Sequence, residues 1–274
     1  MLANLAAIAF LAIVVAIPLI AAVAQWRRTD MSLLQFCMWL AARALTRLLW
    51  RATAAGPLPL PSGQGAVLVC NHKSSVDPFF IQTLTTRKTH WMVAREFCEH
   101  PAFAWFLRTC EVIPVNRGGI DTAATRLAIR LASEGQIVGM LPEGRINMTE
   151  RFMLPGRPGA ALVALKANVP IVPCYIEGAP YDQVSWSPFF MPAKVRLHFG
   201  QPLDLLEFAG EQAGENAPRE VLMRAMKAIA ELAGESNYEP QVAGKGWKPT
   251  AEELASDMEG SRRRRRRRTG KRES

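Results

Sequence analysis

Hydrophobic and polar positions divide the chain into regions of different character. From residue 2 to residue 23 no charge occurs, only Asn4 and Pro18 interrupt the apolar run, and Arg27 and Arg28 follow at once. That length suits a helix crossing a bilayer core about 30 Å thick. A cleaved signal peptide is the rival, because Ala22-Val23-Ala24 has the small residues of a cleavage site. Against it stand the missing basic n-region, the length of the run and arginines that follow instead of preceding it. The expectation is a single-pass anchor over residues 1–28, with the rest of the chain on the cytoplasmic side by the positive-inside rule.

Residues 32–51 are amphipathic, with Arg43, Arg47 and Arg51 spaced four apart among Leu33, Leu34, Phe36, Trp39, Leu48 and Trp50. The spacing puts three guanidiniums on one helical face. Such a helix either lies in the headgroup layer or packs on the folded domain, and the pattern alone leaves both open. It defines an expected membrane-associated segment over residues 29–55, followed by a Pro- and Gly-rich linker to residue 65.

From residue 66 strand and helix patterns alternate, which predicts an α/β fold: a mixed, largely parallel sheet flanked by helices over residues 56–235. Strands are expected at 66–70, 90–94, 112–115, 136–141, 170–176 and 195–199. Helices are expected at 77–86, at 101–109, from Asp121 to Glu134 with Asp121 as N-cap and Gly135 closing, at 159–166 and at 218–232. Beyond residue 234 the periodicity fades, and residues 236–274 read as a disordered basic tail with a run of seven arginines at 262–268.

Charge changes the picture less than its total suggests. Of the formal +9, nine basic residues and Glu273 between residues 262 and 274 supply +8, leaving the body near neutral. The basic balance therefore belongs to a tail able to meet anionic lipid, and it does not make the folded domain a specific nucleic-acid binder. Five cysteines, odd in number and without C-x-x-C spacing, fit free thiols in apolar runs and argue against a zinc site.

The candidate chemistry sits just after the first strand of the α/β region. Asn71 ends the apolar run, His72 follows, and Asp77 comes five positions later at an expected helix start. A neutral imidazole can take a proton from a hydroxyl, and a carboxylate on its far nitrogen fixes the tautomer and stabilises the imidazolium. This is a Ser-His-Asp relay without the serine, so the activated hydroxyl belongs to a substrate and no covalent enzyme intermediate is needed.

Four blocks in order carry a family resemblance: Asn71-His72…Asp77, Val112-Ile113-Pro114-Val115-Asn116-Arg117, Leu141-Pro142-Glu143-Gly144-Arg145 and Val169-Pro170-Ile171-Val172-Pro173. Together they resemble the glycerolipid acyltransferases of the lysophosphatidic acid (1-acyl-sn-glycerol-3-phosphate) acyltransferase type. The resemblance implies the glycerol-3-phosphate acyltransferase-like fold, His72 as general base and Asp77 as its orienter. It implies Arg117, Glu143, Gly144 and Arg145 as the acceptor-binding set, with the two guanidiniums on a phosphate, Pro142 and Gly144 making the tight turn, and Glu143 holding the loop or a neighbouring cation. The third block departs from the family's F-P-E-G-T-R pattern: leucine stands for phenylalanine and the threonine is missing, which shifts Arg145 by one residue.

The implied reaction moves a fatty acyl group from an acyl-CoA or acyl carrier protein thioester, a co-substrate and not a bound cofactor, to lysophosphatidic acid, giving phosphatidic acid. Lys73, Arg95 and Arg157 are candidates for the approach of the polyanionic donor. Glycerol 3-phosphate, a lyso-ornithine lipid or another lysophospholipid are rival acceptors. A membrane-tethered binding protein with inert motifs is the rival class, and Cys98 or Cys110 as acyl carrier is a minor alternative. No metal is called for.

Overall fold

The computed structural model describes residues 2–116, 121–181, 184–208, 214–244 and 247. Helix α1 (Leu2–Trp26) contains Pro18, and its apolar side chains from Leu5 to Val23 are exposed. The stretch Asn4–Trp26, with mean hydropathy 2.9, is long and apolar enough to cross a membrane. Its last turn docks on helix α2 (Leu33–Leu48), where Ala22 and Trp26 pack with Met31, Phe36 and Trp39. Ser32 starts α2 through a capping box with Gln35, satisfying amides that the first turn would otherwise leave open.

Helix α2 packs on the domain. Trp39 Nε1 donates to Gln82 O, Arg43 to Thr83 O, and Thr46 meets Thr83, all in or just after helix α3 (Asp77–Leu84). Of the two readings left open by the sequence, packing on the body therefore holds for its inner face. Leu33, Leu34, Leu40 and Leu48 point away and are exposed.

The centre is a seven-stranded sheet in the order β1-β7-β6-β2-β5-β3-β4. Its strands are β1 (Thr53–Ala54), β2 (Ala66–Cys70), β3 (Thr89–Ala94), β4 (Ile113–Val115), β5 (Ile137–Met140), β6 (Ile171–Glu177) and β7 (Arg196–Phe199). Strands β6, β2, β5, β3 and β4 run parallel, whereas β7 pairs antiparallel with β6 and carries β1. All five residues of β2 are buried, as its run Ala-Val-Leu-Val-Cys requires of a strand covered on both faces. Gly139 on β5 leaves room for the Trp91 ring, which a Cβ there would meet at 2.6 Å.

Helices α6 (Thr122–Ser133), α7 (Gly159–Ala167) and α8 (Ala217–Ala233) cover one face through Ala124, Ala128, Ala164, Leu222, Met226 and neighbours. Residues around Trp50, Phe80 and Ile81 fill the other. The six expected strands all lie within one residue of their expected ends. Strand β1, too short to show alternation, was not expected and lies at the end of the expected membrane-associated segment; α4 (Arg95–Glu99), a single turn before α5 (Pro101–Thr109), and two short 3-10 helices (Ser187–Phe190 and Leu206–Phe208) were not expected either. The folded body also runs past residue 235. Tyr238 packs edge-on against Phe152, and Gln241 and Ala243 bond Gly156. The arginine run at 262–268 lies outside the described residues.

Candidate active site

Parallel strands bring their carboxyl ends to one edge, where the loops after β2, β5, β3 and β4 meet. His72 leaves β2 there. Its backbone is gripped from β5's side: the amide of His72 donates to Glu143 Oε1 at 2.7 Å, and its carbonyl accepts from the amide of Asn147 at 2.7 Å. Asn71 anchors the other flank. Its side-chain amide donates to Ile176 O at 3.0 Å and its oxygen accepts from the amide of Ile176 at 2.8 Å, continuing the β2–β6 ladder by one side chain.

Asp77, fully buried in the first turn of α3, turns Oδ2 back on the loop. That one oxygen accepts from His72 Nδ1 at 3.0 Å, from the amide of Lys73 at 2.8 Å and from the amide of Ser74 at 2.9 Å. Oδ1 is buried with no hydrogen-bond partner among the described residues. With Nδ1–H donated to the carboxylate, the lone pair is on Nε2, which meets no partner among the described residues on a side chain 13% exposed. The ring can therefore accept a proton from outside, and the buried carboxylate offsets the charge that results.

Glu143, 2% exposed, faces inward. Its second oxygen accepts from the amide of Leu154 at 2.7 Å. Burial pushes its carboxyl up to about 8, against the opposing pull of the Leu154 and His72 amides and of Lys73. With both oxygens on backbone amides it holds the loop after β2 from within, one of the two roles expected of it. Gly144 makes the turn at φ +66°, with the Arg157 side chain against its open face. Arg145 is half-exposed without an ion pair among the described residues. Arg117 lies outside the described residues, between Asn116 and the Asp121 cap. Arg95, from α4, reaches Asn116 Oδ1 at 2.9 Å and stands 3.8 Å from Asp121, bracing that loop's ends. Lys73 Nζ is spent on the carbonyls of Thr149 and Arg151. The proline-bounded fourth block is β6 itself, a buried strand.

Burial raises the Cys98 thiol and pushes that of Cys110 up to about 11, which leaves neither as the thiolate an acyl carrier needs. Among the described residues no group of three or more His, Cys, Asp and Glu could hold a metal ion.

A model of the Acyltransferase family matches residues 51–177, from just before β1 to the end of β6. The 1-acyl-sn-glycerol-3-phosphate acyltransferase of Bacillus subtilis is 28% identical over 151 residues, 55% of this chain and 72% of that protein. The protein of the same name from Streptococcus pneumoniae is 26% identical over 51% of this chain and 50% of its own length. Tafazzin of Drosophila melanogaster is 30% identical over 54% and 43%. The chain thus spans about half or less of the latter two. The crystal structure of the 1-acyl-sn-glycerophosphate (LPA) acyltransferase of Thermotoga maritima shares the fold, with TM-score 0.55 at 24% identity over 70% of this chain and 76% of that one. Residues 51–177, from β1 through β6 and with the His72–Asp77 pair inside them, thus match the Acyltransferase family, and the chain is similar there to 1-acyl-sn-glycerol-3-phosphate acyltransferases.

Proposed function

We propose that the protein transfers a fatty acyl group from an acyl thioester, acyl-CoA or acyl carrier protein, to the free hydroxyl of lysophosphatidic acid, giving phosphatidic acid. The observation that carries the reading is the His72 Nδ1 to Asp77 Oδ2 contact of 3.0 Å with Nε2 left open. Nε2 takes the hydroxyl proton as the oxygen attacks the thioester carbonyl. The C–S bond then breaks, the new ester C–O bond remains, and the imidazolium returns the proton to the leaving thiolate. Asp77 stabilises the imidazolium in between, and Glu143 holds the loop that aims it. Arg145, and Arg117 by resemblance, meet the acceptor phosphate. Helix α1 anchors the chain so that a lipid acceptor reaches the site without leaving the bilayer, with the domain on the cytoplasmic side of Arg27 and Arg28 and the basic tail on anionic headgroups.

The test is turnover by the full chain in membranes, with each donor and with lysophosphatidic acid, glycerol 3-phosphate, lyso-ornithine lipid and other lysophospholipids in parallel. Lysophosphatidic acid should be the preferred acceptor, and His72→Ala should lose about 10² to 10⁴ in turnover with the fold intact. A His72→Ala variant of near-normal turnover overturns the mechanism. Preference for another acceptor keeps the chemistry and corrects the substrate, an outcome the missing threonine before Arg145 makes worth measuring.

A further inference from the structure

Three connections converge on the catalytic edge and leave it lined with exposed aromatic and aliphatic side chains. Strand β1 runs opposite to β2, so the C-terminal end of α2 enters the sheet at the edge where His72 leaves it. The β6–β7 connection also leaves and returns at this edge, because Glu177 pairs with Arg196. Helix α5 follows α4 from the same edge. On these three segments Leu48 is 82% exposed, Trp186 59%, Phe190 76% and Trp105 63%.

Their backbones are firmly held although their side chains are bare. Trp50 Nε1 donates to Pro188 O, and the amide of Ala193 donates to Leu49 O, tying α2 to the β6–β7 connection. Phe79 stacks on Phe106 of α5 at 5.7 Å and meets Phe189 edge-on at 5.9 Å, tying α5 and the β6–β7 connection to α3. Ser75, in the catalytic loop, donates its hydroxyl to Ser185 O at 2.6 Å. The outer side chains are thus presented by a scaffold rigidly coupled to His72.

We infer that Trp186 and Phe190, flanked by Leu48 and Trp105, form a second bilayer contact that sits in the headgroup layer and sets the catalytic edge against the lipid surface. The inference rests on the reading of a membrane-embedded acceptor given above. Phospholipid is the occupant that fits. Indole and phenyl groups favour the interfacial layer, and the patch continues through α2 to α1, the segment long and apolar enough to cross a bilayer. Arg47, Arg51 and Lys194 are exposed beside it, without an ion pair among the described residues, as contact with anionic headgroups requires. A second copy of the chain would set these like charges against themselves across a two-fold axis.

The full-length protein in vesicles of phosphatidylcholine and phosphatidylglycerol decides it through two readouts. The emission difference between wild type and Trp186→Phe isolates one indole; it should be blue-shifted and quenched by lipids brominated on the acyl chain near the headgroup. Water-like emission without quenching overturns the inference, as does blue-shifted emission indifferent to bromine, which would place a protein surface there. In the second readout Trp186→Ser/Phe190→Ser should raise KM for bilayer-embedded long-chain lysophosphatidic acid about tenfold. The same variant should leave kcat/KM for a short-chain, water-dispersed lysophosphatidic acid unchanged. Equal losses on both acceptors mark a structural role and overturn it. Should no lysophospholipid turn over at all, the proposed function fails, and the fluorescence difference, which needs no turnover, still decides the membrane contact.

Discussion

Replacing Asp77 with asparagine separates the charge of that residue from its geometry. In most His–carboxylate pairs the amide can turn its NH2 towards the ring, force the other tautomer and abolish catalysis for a reason unrelated to charge. Here two backbone amides, from Lys73 at 2.8 Å and Ser74 at 2.9 Å, point at the same oxygen as His72 Nδ1. Turning the NH2 inward would oppose it to both, so the asparagine oxygen takes the Oδ2 position and Nδ1–H stays the donor. What is lost is the charge. At about 3 Å and an effective dielectric near 20, a full charge stabilises the imidazolium by about 5 kcal/mol. A neutral oxygen retains roughly half of a charge-assisted hydrogen bond, leaving a deficit of about 2–3 kcal/mol. Turnover should therefore fall about a hundredfold. The NH2 takes the place of Oδ1, which has no partner among the described residues, and its unmet donors should cost about 1–3 kcal/mol of stability. The assay is thiol release at saturating donor and acceptor, beside thermal unfolding of the same preparation. A loss of about 10⁴ or more refutes the claim that the amides hold the tautomer. A variant within about threefold of wild type refutes a role for the charge.

Glu143 carries a pH prediction. Its folded value of about 8 stands above the ordinary 4.5, so between those values the folded state binds more protons than the unfolded chain. Its contribution is complete below the ordinary value and is lost as pH rises through 8, on the order of a few kcal/mol. Glu143→Gln should flatten that decline in a melting-temperature series against pH; an unchanged slope would place its source elsewhere. Asn71→Ala removes two hydrogen bonds to Ile176 and leaves that amide and carbonyl buried and unmet, so it should cost about 2–4 kcal/mol and lower the melting temperature by roughly 5–15 °C. A shift of only a degree would show that β2 and β6 close without it. Cys98→Ser with Cys110→Ser should keep near-wild-type turnover with no acyl-enzyme trapped by acid quench, and a labelled acyl-protein lost with the thiols would restore the carrier mechanism.

What the sequence made legible follows the range of the interactions involved. The His72–Asp77 contact spans five residues and is closed by one loop and the first turn of α3, so residue types and spacing contain it. The same holds for Asp121 capping α6 through the amides of Ala123 and Ala124. The grip of Glu143 on the amide of His72 spans 71 positions and exists only because β5 pairs with β2; the chain alone suggested a loop-holding carboxylate without naming the amide it holds. The Asn71–Ile176 pair spans 105 and depends on β6 lying on β2's other side. Strand β1 has two residues and owes its existence to β7, which carries it at the sheet's edge.

The division has a mechanistic consequence. In the proposed mechanism the local motif selects which atoms exchange a proton, since Asp77, held by the amides of its own loop, favours one tautomer of His72. The long-range contacts fix where that proton transfer happens, since Glu143 and Asn71 clamp the backbone on both sides of His72 to the two strands flanking β2. A motif copied without its sheet would keep the Nδ1–Asp77 hydrogen bond and lose the position of Nε2, and general-base catalysis depends on that position to within a fraction of an ångström. Substitutions at Glu143 that leave the His72–Asp77 pair formed should therefore depress kcat well beyond their effect on stability. Parallel losses in the two would instead make Glu143 an ordinary buried hydrogen-bond partner.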